Sequence, residues 1–335
     1  MQTVSVIIPF FQSESGILRR AMMSISGQQI PSGWCVEVIV VDDGSPCQAE
    51  TELSYVALPE PIRLKLIRQE NGGVSAARNR GLDELTPSAA LVAFLDSDDT
   101  WLPNHLARAI RSHELGFDFY FTDNQRPGHH GSHVRSHCGI ETGRFISASQ
   151  QKSGILEIPS DYMVGLILKE FPTQASSVVY SRWIAANLRF NTTLKAAGED
   201  MLFFTALASG SNRIGFDLDN YVECGDGLNM YFGHLDWDSP RFLAIQVDKL
   251  IAHRLIQKTL TLSLSNHAWN KEYIRTLRLN CAFHILRLLA KYPRQVPKAI
   301  TRLLRRDPAL VLLLPVDMIL ASRRALRARS QIQRS

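Results

Sequence analysis

The chain has 335 residues, of which 45% are hydrophobic and 21% are charged, and its formal net charge at pH 7 is +5. This composition is typical of a soluble globular protein with one large or two modest domains, and no run reaches the roughly 18 apolar residues of a membrane span. Five scattered cysteines without a Cys-x-x-Cys pair argue against a disulfide framework.

Strand and helix patterns alternate along the first part of the chain. Strands are predicted at residues 4–9, 36–41, 62–68, 91–95 and 117–122, and helices at residues 16–26, 74–85 and 103–115. This alternation predicts an α/β fold with a doubly wound, mainly parallel sheet flanked by helices. Because the first strand begins almost at once, without a basic region, and Pro9 follows too soon for a signal peptide, we expect a cytoplasmic protein.

Clustered carboxylates follow two of these strands. Asp42 and Asp43 follow the second strand, and Asp96, Asp98 and Asp99 follow the fourth. The carboxyl ends of parallel strands share one edge of a sheet, so these acids predict one acidic pocket. Carboxylates this close repel one another, and a bound divalent cation is the usual way to neutralise them. A solvated turn that caps the next helix is the alternative.

Two common phosphate-binding motifs are absent from the sequence. There is no G-x-x-x-x-G-K-[ST] loop, which argues against a P-loop phosphotransferase, and no G-x-G-x-x-G follows the first strand, which argues against a dinucleotide-binding dehydrogenase. An acidic pocket without a glycine cradle would hold phosphate through a bridging metal. Both nucleotide-diphosphate chemistry and the hydrolysis of a phosphoester meet that requirement.

Four ordered motifs resemble glycosyltransferase family 2. They are VSVIIPF at residues 4–10, VVDDGS at 40–45, NGGVSAARNRG at 71–81 and FLDSDD at 94–99. The resemblance implies a GT-A fold, with a nucleotide-binding half, an acceptor-binding half and inverting transfer from a nucleotide-activated sugar. It is clear to about residue 207 and fades by about residue 234. Gln12 departs from the pattern, since Asn is common in that place.

The same resemblance implies which residues bind the nucleotide. Pro9 and Phe10 would line the nucleotide pocket through backbone and ring, and Asp43 would accept a hydrogen bond from the base. Asn71 and Arg78 fall where the family contacts the nucleotide or the diphosphate, and the forked guanidinium of Arg78 suits phosphate. An ordinary arginine on a helix surface is the alternative for Arg78.

The resemblance also implies a metal site in the fourth motif. Asp96 and Asp98 correspond to the family's D-x-D acids. Asp98 would hold a divalent cation, Mn²⁺ or Mg²⁺, with Asp99 sharing or orienting it. The metal would stabilise the charge that builds on the departing diphosphate.

A base on the acceptor side is implied by Glu199 and Asp200, which resemble the family's Glu-Asp motif. The acceptor hydroxyl must lose a proton as it attacks the anomeric carbon, and a carboxylate within reach can take it. Asp200 would be this base, and Glu199 would bind the acceptor or orient Asp200. The alternative is that both acids only favour the N-terminus of a helix, and the two roles are compatible.

These patterns divide the chain into two regions. Residues 1–235 are predicted as the catalytic domain, with a nucleotide-sugar half at 1–125 and an acceptor half at 126–235, and residues 236–335 as a helical, basic C-terminal region. In the acceptor half, His129, His133, His137 and Cys138 have a spacing that suits zinc on a helix. Glycine and proline among them disfavour a helix, so a polar loop beside the acceptor site is the preferred interpretation.

The C-terminal region carries most of the positive charge. From Lys291 onward eleven basic residues face only Asp307 and Asp317, a net charge of +9 that leaves −4 for the rest of the chain. An apolar run at 310–316 lies between these basic residues and predicts a helix in the plane of an anionic membrane surface, at the inner face of the plasma membrane. Packing against the catalytic body is the alternative. Nucleic acid is not an expected partner, since no aromatic residues interleave with the charge.

Together these features predict a metal-dependent, inverting glycosyltransferase. It would take a sugar from a nucleoside diphosphate, most simply UDP, and attach it to a saccharide or lipid-linked acceptor of a growing surface glycan. Two alternatives stay open: a metal-dependent nucleotidyltransferase, and a glycan-binding member of the fold that has no activity.

Overall fold

The computed structural model describes residues 1–126, 133–134, 138, 154–225 and 236–292, together with separate positions between 294 and 320. The chain divides into two compact units, which are called the N-terminal unit (Met1–Thr192 and Phe203–Tyr231) and the C-terminal unit (Thr193–Leu202 and Phe232–Ser335). The segment 193–202 groups with the C-terminal helices, which the sequence did not predict. The domain boundary at residue 235 stays a prediction.

The N-terminal unit begins with four parallel strands. They are β1 (Gln2–Phe10), β2 (Trp34–Asp42), β3 (Ile62–Arg68) and β4 (Ala89–Phe94), in the spatial order β3-β2-β1-β4. Each lies within two residues of its predicted bounds. β1, β2 and β4 are mainly apolar because helices cover both faces, and in β1 every residue after Gln2 is buried. β3 stands at the edge of the sheet and alternates apolar with charged residues, most of which are exposed or half-buried.

The remaining strands extend the same sheet beyond β4. They are β5 (Thr100–Trp101), β6 (Phe119–Gln125), β7 (Ile155–Ile158), β8 (Val178–Ser181) and β9 (Ile214–Glu223). The order continues β4-β8-β6-β9-β5, and β7 also pairs with β9. The long ladders are parallel, whereas β8 is antiparallel to both of its neighbours. The predicted α/β fold with a mainly parallel sheet is therefore confirmed, and the antiparallel insertion is an addition to it.

Helices connect the strands of this unit. They are α1 (Ile17–Ser26), α2 (Ala49–Leu53), α3 (Val74–Asp83), α4 (His105–Glu114), α5 (Ser160–Lys169) and α6 (Glu199–Gly210), the last of which begins in the C-terminal unit. α1 buries the apolar side that its sequence predicts, namely Ile17, Leu18, Ala21, Met22 and Ile25. A fully buried Ile, Leu or Met side chain contributes about 1.5–3 kcal/mol.

The C-terminal unit contains two long helices, α7 (Pro240–Thr259) and α8 (Leu264–Lys291), where the sequence predicts helices. Ser239 caps α7 by accepting a hydrogen bond from the Phe242 N–H at 3.2 Å, and Ser263 caps α8 through the Asn266 N–H at 3.3 Å. Within the described part of the chain, no helix has both the length and the apolar character that crossing a membrane requires.

Candidate active site

Asp43 organises the loop between β3 and α3. Its Oδ1 accepts hydrogen bonds from the Gln69 Nε2 at 2.7 Å and the Gly72 N–H at 2.8 Å, and its Oδ2 accepts one from the Gly73 N–H at 2.7 Å. Gly73 has φ +90°, where a side chain would be strained. An ionised carboxylate has about four acceptor positions, so three bonds leave room for one more donor. The predicted hydrogen bond from a nucleotide base therefore fits this geometry, and it stays a prediction.

The end of β1 presents a different ring from the one predicted. Phe10 has no exposed surface and packs in the core, and its carbonyl accepts a hydrogen bond from the Asp43 N–H at 2.9 Å. Phe11, the next residue, is 42% exposed at the same edge of the sheet. Neighbouring residues of an extended strand point to opposite sides, which explains the difference. Phe10 can thus shape the edge through its backbone, and Phe11 is the ring that a ligand can reach there.

Gln12 joins three loops at this edge, a role that the sequence did not suggest. Its N–H donates to Ser45 Oγ at 2.7 Å, and its carbonyl accepts from the same hydroxyl at 2.8 Å. Its side-chain Nε2 donates to Ser97 Oγ at 3.2 Å. Gln12 is 4% exposed, so it links the loops after β1, β2 and β4 from inside the protein. A polar residue directly after an apolar strand is the only sequence signal of this role.

Arg78 and Asp96 form an ion pair between α3 and the end of β4. The Arg78 Nη2 donates to Asp96 Oδ1 at 2.7 Å, and the guanidinium carbon lies 5.1 Å from the centre of the Phe190 ring. Arg78 is only 4% exposed, so the helix-surface interpretation is wrong. A buried arginine fixed by a carboxylate and an aromatic ring is pre-organised for a bidentate anion.

Asp99 is held by the protein rather than presented to solvent. Its Oδ2 accepts hydrogen bonds from Ser176 Oγ at 2.5 Å and Gln174 Nε2 at 3.3 Å, and its Oδ1 accepts one from the Gly225 N–H at 2.8 Å. Burial, and after it the charge of Asp96, raise the pKa of Asp99 to about 7, although the hydrogen bonds from Ser176 and Gly225 oppose the rise. These contacts indicate that Asp99 supports the turn.

The turn at residues 96–99 is fixed from two directions. On one side, Ser176 Oγ accepts the Asp96 N–H at 3.0 Å while it donates to Asp99. On the other side, Gly225 lies so close to Asp98 that a Cβ at this position would collide with the Asp98 backbone. Pairing of β5 with β9 brings Gly225 to this turn. The contacts of Ser176 and Gly225 therefore hold the acidic turn in one conformation, as a metal-binding or phosphate-binding turn requires.

Asp96 and Asp98 are the carboxylates of this turn that are partly exposed. Among the described residues, no group of three or more His, Cys, Asp or Glu side chains is arranged to hold a metal ion. Mg²⁺ and related hard cations are usually bound through one or two carboxylates, with substrate phosphates completing the coordination. The residues present therefore fit a cation that arrives with a diphosphate. The assignment of Asp98 as the main protein ligand stays a prediction.

Glu199 and Asp200 begin α6, in the C-terminal unit. Glu199 is 5% exposed, and Asp200 is partly exposed. The Asp200 Oδ1 accepts a hydrogen bond from the Met201 N–H at 2.8 Å. This contact is the helix-terminal role that was considered as the alternative. The assignment of Asp200 as a base stays a prediction.

The histidine-rich segment can be described only in part. His129 and His137 lie outside the described residues, whereas His133 and Cys138 lie inside them. Burial raises the pKa of the Cys138 thiol to about 11, so the thiol is protonated at neutral pH in the absence of a metal. The zinc interpretation and the polar-loop interpretation both remain predictions.

Comparison with known proteins identifies the family. The family model described as "Glycosyl transferase family 2" matches residues 5–161. The succinoglycan biosynthesis protein ExoW of Rhizobium meliloti (strain 1021) is 33% identical over 319 residues, which cover 93% of this chain and 96% of that protein. The chain belongs to glycosyl transferase family 2. It is a glycosyltransferase by family, as the four sequence motifs predicted.

Solved structures share the fold of this glycosyltransferase. S. aureus TarS 1–349 in complex with UDP-GlcNAc superposes with a TM-score of 0.63 at 19% sequence identity, and the match covers 99% of this chain and 92% of that one. The mannosyltransferase PcManGT of Pyrobaculum calidifontis, in complex with GDP-Man and Mn²⁺, gives a TM-score of 0.55 at 16% identity and covers 96% and 86% of the two chains. At such identities the likeness shows the fold alone, which is GT-A.

Proposed function

We propose that this glycosyltransferase moves a sugar, with inversion, from a nucleoside-diphosphate sugar to a saccharide or lipid-linked acceptor in surface polysaccharide synthesis. The observation that carries the proposal is the ion pair of the buried Arg78 with Asp96, which shares a rigid turn with the partly exposed Asp98. A forked cation next to acids is suited to a diphosphate with its metal. The polysaccharide assignment is supported by the name of the ExoW relative, and UDP as the nucleotide by the TarS complex with UDP-GlcNAc.

Different residues of the chain would bind the base, the diphosphate and the metal of the donor. The remaining acceptor position of Asp43 would accept a hydrogen bond from the nucleotide base. The backbone of Pro9 and Phe10 and the exposed Asn71 would lie beside that base. Arg78 would bind the diphosphate, and Asp98 would hold the Mn²⁺ or Mg²⁺. When bound, the cation neutralises charge on the leaving diphosphate, an effect of several kcal/mol. The PcManGT complex, which contains Mn²⁺, supports a metal in this fold.

On the acceptor side, Asp200 would accept the proton of the attacking hydroxyl. As that oxygen bonds to the anomeric carbon, the bond from the anomeric carbon to the diphosphate oxygen breaks, and the configuration inverts. Glu199, buried at the same helix start, would orient Asp200 or bind the acceptor. A base in this role contributes roughly 10²–10⁴-fold to the rate.

A screen of nucleotide sugars tests the reaction class. The purified chain is incubated with UDP-, GDP- and other nucleotide sugars and a lipid-linked saccharide fraction, with and without Mn²⁺. We expect one donor to release nucleoside diphosphate in an Mn²⁺-dependent way. Release of pyrophosphate from a nucleoside triphosphate would instead indicate a nucleotidyltransferase. Binding of glycan without turnover of any donor would indicate a non-catalytic member of the fold.

We further propose that the end of the C-terminal unit contacts an anionic membrane surface. The large apolar side chains at Leu312, Val316 and Ile319 are 82%, 53% and 55% exposed, at helical spacing. Asp317 is buried on the other side, where its Oδ2 accepts hydrogen bonds from Arg278 Nε at 3.1 Å and Nη2 at 2.7 Å. The polar contact thus anchors this segment to α8 and leaves its apolar residues outward, beside a strongly basic sequence. That combination suits a helix in the membrane plane, and the proposed location is the cytoplasmic face of the plasma membrane.

Vesicle flotation tests this contact. At low salt the full chain is expected to float with vesicles that contain phosphatidylglycerol and to remain at the bottom with pure phosphatidylcholine. The double variant Val316→Glu and Ile319→Glu should lose most of this binding. Leu264→Glu is the matched control, because Leu264 is 92% exposed at the start of α8, and it should bind as the wild type does. Failure of the wild type to float with anionic vesicles would contradict the proposal and leave the enzymatic one intact.

A further inference from the structure

α7 supports the segment that leads into Glu199 and Asp200, and both belong to the C-terminal unit. Asp248 of α7 has no exposed surface, and its Oδ2 accepts hydrogen bonds from the Lys195 N–H at 2.9 Å and the Ala196 N–H at 2.8 Å. A buried charge is costly unless it is hydrogen-bonded, so this carboxylate strongly favours one conformation of the turn at 195–196. The turn ends three residues before Glu199.

A second contact between α7 and the segment is made by Gly198. Its φ of +87° lies in the left-handed region, and a Cβ at this position would stand 2.8 Å from the Cβ of Ala252. The α carbon of Lys249 would lie 3.9 Å from the same point. Backbone therefore packs directly on the helix, immediately before the two acids. Together with Asp248, this packing holds the segment at both of its ends.

Lys249 of α7 also interacts electrostatically with Asp200. Burial lowers the pKa of the partly buried Lys249, and the charge of Asp200 acts in the opposite direction. One helix thus contacts the segment at residues 195–196 and again at Gly198.

We propose that Asp248 is a positioning residue for Asp200, acting through the backbone turn at 195–196. The inference rests on the proposed function, in which Asp200 is the base. A carboxylate that must meet one acceptor proton loses efficiency when its backbone support shifts, because a displacement of about 1 Å can cost on the order of 10²-fold in rate. Asp248 is fully buried and would act on Asp200 through the backbone. Its loss should therefore lower turnover and leave donor binding unchanged.

Three substitutions at position 248 test this role. Asp248→Ala removes the acceptor for both N–H groups and should lower kcat by roughly 10–100-fold, with the donor KM and the Kd of UDP within about twofold of wild type. Asp248→Asn keeps one side-chain oxygen in the same place and should recover most of kcat. Asp248→Glu keeps the charge but displaces it by one methylene, and should lower kcat in a chain that folds. Circular dichroism and thermal melting establish the folded fraction at the assay temperature.

The outcomes separate this inference from the proposed function. If Asp248→Ala and Asp248→Glu are folded and turn over as the wild type does, the positioning role is wrong. A lower melting temperature with unchanged kcat of the folded fraction would likewise reduce Asp248 to a structural anchor. If Asp200→Asn itself retains turnover, the base assignment fails whatever happens at position 248. Loss of activity in Asp200→Asn with a normal Asp248→Ala defeats the positioning inference alone.

Discussion

Asp200→Asn is expected to lower kcat by roughly 10²–10⁴-fold while UDP and the sugar donor bind as in the wild type. The amide nearly matches the carboxylate in size but cannot accept the proton that the acceptor hydroxyl must lose. Its oxygen can still accept the Met201 N–H, so the start of α6 should be preserved. The measurement is nucleoside diphosphate release under saturating donor, with donor affinity taken from calorimetry.

Asp83→Asn is a matched control for this substitution. Asp83 lies at the end of α3, its side chain is 58% exposed, and it pairs with Arg189 at 2.7 Å. Exposed ion pairs contribute little, typically 0–1 kcal/mol, so this change should leave both turnover and stability near wild type. Near-normal turnover in Asp200→Asn would show that another group accepts the proton. Loss of donor binding in that variant would show that Asp200 acts on the donor instead.

The sequence predicted the first half of the sheet more completely than the second. β1, β2 and β4 are apolar runs bounded by polar turns, and β3 alternates apolar with charged residues; these local patterns are sufficient to place them. β8 has only four residues, all buried, and its direction depends on the partners between which it lies. Short strands of this kind are defined by tertiary pairing, which composition and period cannot show. β5, with two residues, is the extreme case.

In the candidate site, too, local sequence predicts some features, and long-range contacts determine the others. The sequence shows that residues 96–99 are acidic, but nothing in it distinguishes Asp99, which is buried under three hydrogen bonds, from the partly exposed Asp98. The partner that makes the difference, Ser176, is 77 residues away from Asp99. Asp248 likewise reaches its turn across 52 residues or more. Such long-range polar contacts are set by the fold, so they become visible only when the fold is known.

Neighbouring acids should therefore respond in opposite ways when each is replaced. Asp98→Ala is expected to lower kcat/KM by roughly 10²–10³-fold and to abolish the Mn²⁺ dependence of donor binding, because several kcal/mol of charge stabilisation are lost. Its stability should change little, since the side chain is partly exposed. Asp99→Asn should instead destabilise the fold by about 1–3 kcal/mol, because an amide cannot accept every hydrogen bond that the carboxylate accepts.

Two measurements distinguish the pair: calorimetric titration of UDP with and without Mn²⁺, and urea unfolding of both variants. If Asp98 is the ligand, the metal-dependent increment in UDP affinity disappears in Asp98→Ala and persists in the folded fraction of Asp99→Asn. The reverse pattern, with the increment lost only in Asp99→Asn, would assign the metal to the buried acid. An increment that survives in both variants would mean that neither Asp98 nor Asp99 is the main ligand of the metal.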